Sequence, residues 1–530
     1  MPTRRCTSSL PSRSQSIALA LAIALTVACA PTTDAGPSTP SPGTAPTPRP
    51  ASAPAATPSA TLPDVDFVIA VQATAQGFDP RERIDPMSLQ RMLVVMEPLV
   101  TLDASLSLKP RLATAWEVGD GGRVVTMRLR DDVAFHDGWR FTSTDVRFTI
   151  ETGAGPDRQG TVRPVATLVE RVETPDDQTV VLHLTRPAAH VLFELTRMPI
   201  VPATAAEDFD TRPVGTGPYA FEAHAPGSRL VLRRNDAYWG DHTGPERIAF
   251  DVISRSADTV DAVLAGRVQL AHRAFEAADI QRLTGAAGVT VERVANTTVT
   301  YLAFDTTTAP LDDARVRRAL SMLAPRDEIV SDVLHGNGVA SLFMVPPSAA
   351  WVQGADTALL GGRTEAEVLL AEADARFDRP LVLVTNTSEV REATAARIVA
   401  AFANVGIEVR TEIVDFPTYL RRLNDGDYDL FVLGGVTTGN PSTAINTALN
   451  YEVVAPDISA LLDQAATIDP TSDEGVATYR AAYAATLESS PRAFLHLGVN
   501  VGVMPAGLGG WAPHPADAHA YQDLHRLDLR

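Results

Sequence analysis

The chain has 530 residues, 45% hydrophobic and 21% charged, enough for about three domains and a sizeable buried core. Lys plus Arg number 45 against 64 Asp plus Glu, a net charge of −19, so the basic footprint of a nucleic-acid binder is missing. Lys109 is the only lysine, which removes the P-loop lysine, the kinase strand lysine and the serine–lysine pair, and with them most ATP chemistry.

Arg4, Arg5 and Arg13 precede the mostly apolar run Ile17–Ala28, and no acidic residue occurs before Cys29. That is the layout of a secretory signal peptide over residues 1–28, and the run is too short for the ~20 apolar residues of a membrane span. The two cysteines, Cys6 and Cys29, both fall in or at the end of this segment, so the exported domain is expected to hold no disulfide despite an oxidising compartment. Thr26-Val27-Ala28-Cys29 resembles the bacterial lipobox, with Thr26 where Leu is preferred. The resemblance implies a lipidated Cys29 that anchors the protein to the outer face of the cell membrane without crossing it. Residues 29–63 contain 10 prolines among 35 residues, with Ala, Ser, Thr and Gly making up most of the rest. Such a composition forms an extended tether rather than a core.

Folding is expected from Asp64, where Val65, Phe67, Ile69 and Val71 alternate in the period of a strand. Val125, Met127 and Leu129 repeat the pattern after the Gly119–Gly122 turn, and Val180, Leu182 and Leu184 do so after Pro175-Asp176-Asp177. Thr142-Ser143-Thr144-Asp145 carries the capping pattern of a helix start. Further on, a strand from Leu381, a helix over 389–405 stopped by Gly406, and a strand through Ile407, Val409 and Ile413 form a βαβ unit. A helix over 417–423 then leads to a strand over 428–433 and a loop over 434–441. In open α/β sheets ligands bind beyond the carboxyl ends of strands, so this loop is expected to face a crevice.

Several blocks together resemble the family 5 extracellular solute-binding proteins, the dipeptide and oligopeptide receptors of ABC importers. They are Leu112–Val118, Leu129–Gly138, Phe141–Val146, Pro213–Tyr219, Arg234–Gly240, Tyr301–Thr306 and Asp313–Leu320. The sequence departs from the family pattern at Asp305, where Asn is usual, and at Ala324-Pro325-Arg326, which replaces a hydrophobic residue followed by Asp-Arg. The resemblance implies an α/β, two-lobed periplasmic-binding-protein type II fold that closes on its ligand by hinge motion and delivers it to ABC permease subunits. By analogy one lobe comprises 64–94, 205–295 and 497–530, with a satellite domain at 95–204, and the other lobe is 296–496. The implied protein is an extracytoplasmic monomer that needs no cofactor.

Other motifs read as structure. Phe135-His136-Asp137-Gly138 ends in a turn dipeptide, Gly215-Thr216-Gly217 lacks the third glycine of a dinucleotide site, and His514 and His519 are five apart in a Pro-containing segment. No catalytic residue and no metal site is expected. Of the five tryptophans, Trp351 lies outside the family blocks and is the pocket candidate. In the peptide receptors that this chain resembles, an Asp in a Gly/Asp/Pro-rich loop pairs with the ligand α-amine; the matching stretch Gly434–Pro441 holds no carboxylate. Thr437, Thr438 and Asn440 are therefore the loop's ligand candidates, with Asp415 or Asp305 as substitutes for the missing charge. A peptide is the ligand most typical of the family; nickel chelates, opines and oligosaccharides are others. An extracytoplasmic hydrolase or a sensor lipoprotein on the same scaffold is the alternative.

Overall fold

The computed structural model describes residues 63–528 apart from 74, 206–207, 274, 354–361 and 450–455. The signal segment, Cys29 and the tether up to Leu62 lie outside the described residues. The backbone of the molecule is a mixed sheet of eleven strands. From one edge it runs through Val409–Val414, Leu381–Asn386, Leu430–Val436, Val289–Phe304 and Arg492–Pro505, then through Leu270–Arg273, Phe67–Val71, Arg247–Val252, Arg229–Arg234 and Tyr219–Ala225. The two-residue strand Val339–Ala340 joins it off this path, on Arg492–Pro505.

Two strands are long enough to serve both halves of this sheet. Val289–Phe304 spans 16 residues and Arg492–Pro505 spans 14, and they pair antiparallel with each other. Their register breaks between Ala295 and Val299. At the break the Asn296 side chain donates to Asn500 Oδ1 at 2.8 Å and its Oδ1 accepts from the Thr298 amide at 2.9 Å. Gly498 faces it, and a Cβ there would lie 2.7 Å from Asn296 Oδ1. Side-chain amides thus take over where the ladder stops, as buried polar groups require. On either side of the break the apolar faces bury into separate clusters, one around Phe67, Ile69, Phe250 and Tyr521, the other around Leu302, Leu383, Ile398 and Phe402.

The βαβ unit forms as its pattern predicts: Leu381–Asn386 and Val409–Val414 are parallel neighbours, joined by the helix Glu389–Ala403. Ile398 and Phe402 are fully buried, and Gly406 leaves the helix at φ +79°, the conformation for which glycine is suited. The loop expected at 434–441 is shorter. Gly434, Gly435 and Val436 pair with Thr300, Val299 and Thr298 and extend the strand to Val436, and Pro441 begins a helix, Pro441–Ala448. Two consecutive glycines read as a loop in the sequence, but a continuous partner strand holds them extended.

A second, four-stranded sheet has the order Ala113–Gly119, Val124–Leu129, Thr179–Leu184, Val169–Asp176. The helix Ser143–Gly153 starts as its sequence requires, with the Asp145 carboxylate accepting from the Thr142 amide at 2.8 Å. A short hairpin, Val100–Leu102 with Leu108–Pro110, stands apart from both sheets.

Candidate functional site

The shortened loop, Thr437 to Asn440, sits where parts distant in sequence meet. The Thr437 amide donates to the Thr297 carbonyl at 2.9 Å, and the Thr297 amide donates to the Pro515 carbonyl at 3.2 Å, so the loop is tied to the register break. Gly439 has φ +83°, and a Cβ on it would come within 3.2 Å of a Leu102 methyl, so the loop tip lies against the hairpin Val100–Pro110. The hairpin is fastened to the C-terminal segment: Leu102 O accepts from Gln522 Nε2 at 3.1 Å, and Thr101 Oγ1 donates to Gln522 Oε1 at 2.7 Å.

Asn440 is 1% exposed. Its Oδ1 accepts from the Ser442 amide at 3.0 Å, which caps the helix Pro441–Ala448, and its Nδ2 donates to Glu194 Oε1 at 2.8 Å. Capping fixes which end of the amide faces outward, so Asn440 presents N–H toward a carboxylate that the sequence did not nominate. Glu194 lies on the short helix Val191–Leu195 and is half-buried. Thr437 is also buried, and the buried Thr438 Oγ1 finds no partner among the described residues.

Trp351 is near the same hairpin, because Ala350 N donates to Ser105 O at 3.3 Å. The indole is 3% exposed and packs edge-on against Tyr483 at 5.3 Å, with its Nε1 unpartnered among the described residues. The structure therefore brings Thr437, Thr438, Asn440 and Trp351 around one hairpin. It does not bring the two substitute carboxylates there. Asp305 N donates to Asp429 O and its carboxylate closes a turn with Thr307 and Thr308. Since Phe304 pairs with Leu430 and Thr298 with Val436, Asp305 is at the far end of the strand, roughly 20 Å from the loop at ~3.3 Å per residue. Asp415 is an exposed helix cap that accepts from the Thr418 amide at 2.9 Å; that hydrogen bond holds its carboxyl below the usual range.

A groove of about 470 Å³ opens beyond the carboxyl ends of Arg247–Val252 and Leu270–Arg273. It is lined by Ser254, Arg255, Ser256, Arg273, Phe275 and Glu276 among others. The carboxyl-end rule marks this place too, but the sequence pattern did not single out these strands.

Three of the family blocks, Leu129–Gly138, Pro213–Tyr219 and Arg234–Gly240, converge instead on a buried carboxylate. Glu97, 1% exposed, accepts from Thr216 Oγ1 and Tyr238 Oη at 2.9 Å and from Trp239 Nε1 at 3.0 Å, and it pairs with Arg111 at 2.7 Å. Arg130 stacks over the Trp239 ring at 3.9 Å. His136 bridges Gly215 N and Gly217 O, and burial pushes its imidazole down to about 4. It is a neutral strut, as its turn context implied. Gly215 and Gly217 permit contact with Val94 and Val95, whose carbonyls a Cβ would strike at 2.1–2.4 Å.

Two half-sheets joined by two shared strands are the architecture of a two-lobed binding protein. The family model for bacterial extracellular solute-binding proteins, family 5 Middle, matches residues 107–453, and the chain belongs to that family. It is 26% identical over 361 residues to the dipeptide-binding protein of Escherichia coli strain K12, covering 61% of this chain and 67% of that protein. It is 25% identical over 467 residues to the oligopeptide-binding protein AppA of Bacillus subtilis strain 168, covering 81% and 84%. The structure of HbpA2 from Haemophilus parasuis matches with a TM-score of 0.79 at 20% identity, over 88% of this chain and 99% of that one; this likeness shows the fold.

Proposed function

We propose that the chain is the lipid-anchored, extracytoplasmic substrate-binding component of an ABC importer, which captures a small solute between its lobes and hands it to a permease. The observation that supports this reading best is that the two half-sheets are joined, among the described residues, by two continuous strands whose register breaks between them, while the loop 437–440 of one side meets Glu194 of the segment 95–204. A hinge at the register break 295–299 opens and closes that contact. On this reading the half-sheets belong to the lobes 64–94, 205–295 and 497–530 on one side and 296–496 on the other, and the four-stranded sheet to a satellite at 95–204. Thr437, Thr438 and Asn440 line the closing face. The names of the dipeptide- and oligopeptide-binding relatives make a peptide the first ligand to test. The comparisons lend no support to the hydrolase or sensor alternative.

A thermal-shift scan of the chain from Asp64 onward against peptides, sugars and metal chelates tests the binding claim. A ligand at 100 times its dissociation constant stabilises by about 2.7 kcal/mol and raises Tm by several degrees; a flat response to the whole panel contradicts it. Anchoring is tested in the full chain. Cys29→Ser is expected to move the protein from the membrane fraction to the soluble fraction, and an unchanged distribution refutes the lipid anchor.

A further inference from the structure

We propose that a small cavity between the helix Ala314–Leu323 and the first residues of the strand Arg492–Pro505 binds a single halide ion, chloride under ordinary conditions. The site lies where Arg492 pairs with Ala303, away from the register break, and it does not depend on the solute-binding reading above. Arg318 and Ser321, three apart on the helix and so on one face of it, line the cavity together with Arg492 and Phe494, two apart on the strand and so on one face of that. Leu342 and Leu487 supply apolar lining. The cavity measures about 20 Å³, room for one water-sized group and too little for phosphate, sulfate or a solute of several atoms.

The charge around the cavity favours an anion over water. Arg318 Nε is buried and donates to no acceptor among the described residues, and a buried charged donor left without an acceptor is costly. The Arg492 guanidinium is buried over the Tyr301 ring at 4.1 Å, a contact that does not cancel its charge. Ser321 Oγ accepts from Arg326 at 3.1 Å, so its own hydrogen remains for another acceptor. Arg317 and Arg326 flank the site with two more guanidiniums, and they donate to backbone carbonyls: Arg317 to Ser489 at 2.7 Å and Ser490 at 3.1 Å, Arg326 to Phe494 and Ser321 at 2.7 Å. The carboxylates that act on these two arginines, Asp312, Asp313 and Asp327, do not line the cavity, and among the described residues no other carboxylate does. A water molecule there accepts a hydrogen bond but leaves the excess of positive charge; a chloride ion accepts it and neutralises part of that charge. Bound there, the ion ties the helix Ala314–Leu323 to one of the two strands that continue into the other half-sheet.

The test is a set of thermal melts of the full chain and of its Arg318→Met variant in sodium chloride, sodium bromide and sodium gluconate at equal concentration and pH. Methionine keeps an unbranched stem and removes the guanidinium, and gluconate is too large for the cavity. The readout is the change of Tm between anions within each protein, so a lower stability of the variant does not enter it. The expected result is that chloride and bromide raise the wild-type Tm over its value in gluconate by at least ~1 °C more than they do in Arg318→Met. Wild-type crystals grown in sodium bromide are expected to show an anomalous bromide peak within hydrogen-bonding reach of Arg318 Nε. Equal anion dependence in the two proteins overturns the inference, as does a bromide crystal with no anomalous peak in the cavity, which assigns the place to water. If Arg318→Met does not fold, the bromide crystal decides alone. Each of these results leaves the solute-binding function standing.

Discussion

Asn440 has two duties that substitutions separate. Asn440→Ala removes the helix cap and the bond to Glu194, and a loss of ~0.5–2 kcal/mol of stability is expected from the cap alone. Asn440→Asp keeps the cap but sets a second carboxylate against Glu194, and like charges at that distance disfavour the closed form. Its Tm is expected to be lower at pH 8 than at pH 5 relative to wild type; a pH-independent difference in thermal melts contradicts the contact. Trp351 shows the limit of reading a site from a residue's absence from motifs. The sequence marks it for a pocket, but at 3% exposure against Tyr483 it is core as much as lining. Trp351→Ala is therefore expected to cost ~3–5 kcal/mol, visible as a shifted denaturation midpoint before any effect on binding is interpreted. Glu97→Gln leaves Arg111 buried without its partner and is expected to cost a similar ~3–5 kcal/mol, measured in the same way.

At the scale of elements, the family blocks Leu129–Gly138, Pro213–Tyr219 and Arg234–Gly240 supply spacers and struts around Glu97. Gly217→Ala drives a Cβ to 2.4 Å from Val94 O, and overpacking of this kind costs ~1–3 kcal/mol; a urea midpoint equal to wild type contradicts the close approach. Elements whose signal is local were legible in the sequence. The alternation of Val180, Leu182 and Leu184, the Thr142 cap and the Ile398–Phe402 spacing each lie within one turn or one strand, and each appears where expected. Features set by distant pairing were not. Gly434–Val436 became strand because Thr298–Thr300 run alongside, and Glu194 reached the closing loop across 246 positions of sequence. No periodicity or loop composition carries that contact, and Asp305 and Asp415 were nearer only along the chain.

For the whole molecule, burial leaves many histidines neutral. His136, His190, His272 and His496 are pushed down to about 4 and His525 to about 3, chiefly by desolvation. The unfolded chain, with imidazoles near 6.5, takes up protons that the folded chain refuses, so stability falls as pH drops from about 6.5 toward 4. Asp517, whose carboxyl burial raises, works in the opposite direction, but a single group does not offset five. Thermal melts are expected to show a Tm falling across this window, and a Tm constant from pH 7 to 4.5 contradicts the burial of these rings.

The central claim is that the two halves close on a small solute. The most direct measurement is native mass spectrometry of the chain from Asp64 onward, incubated with a small-molecule extract of its growth medium and compared with the same sample after denaturation. The account predicts a complex one small molecule heavier than the polypeptide, with that solute released on unfolding. A native mass equal to that of the bare polypeptide after incubation contradicts it.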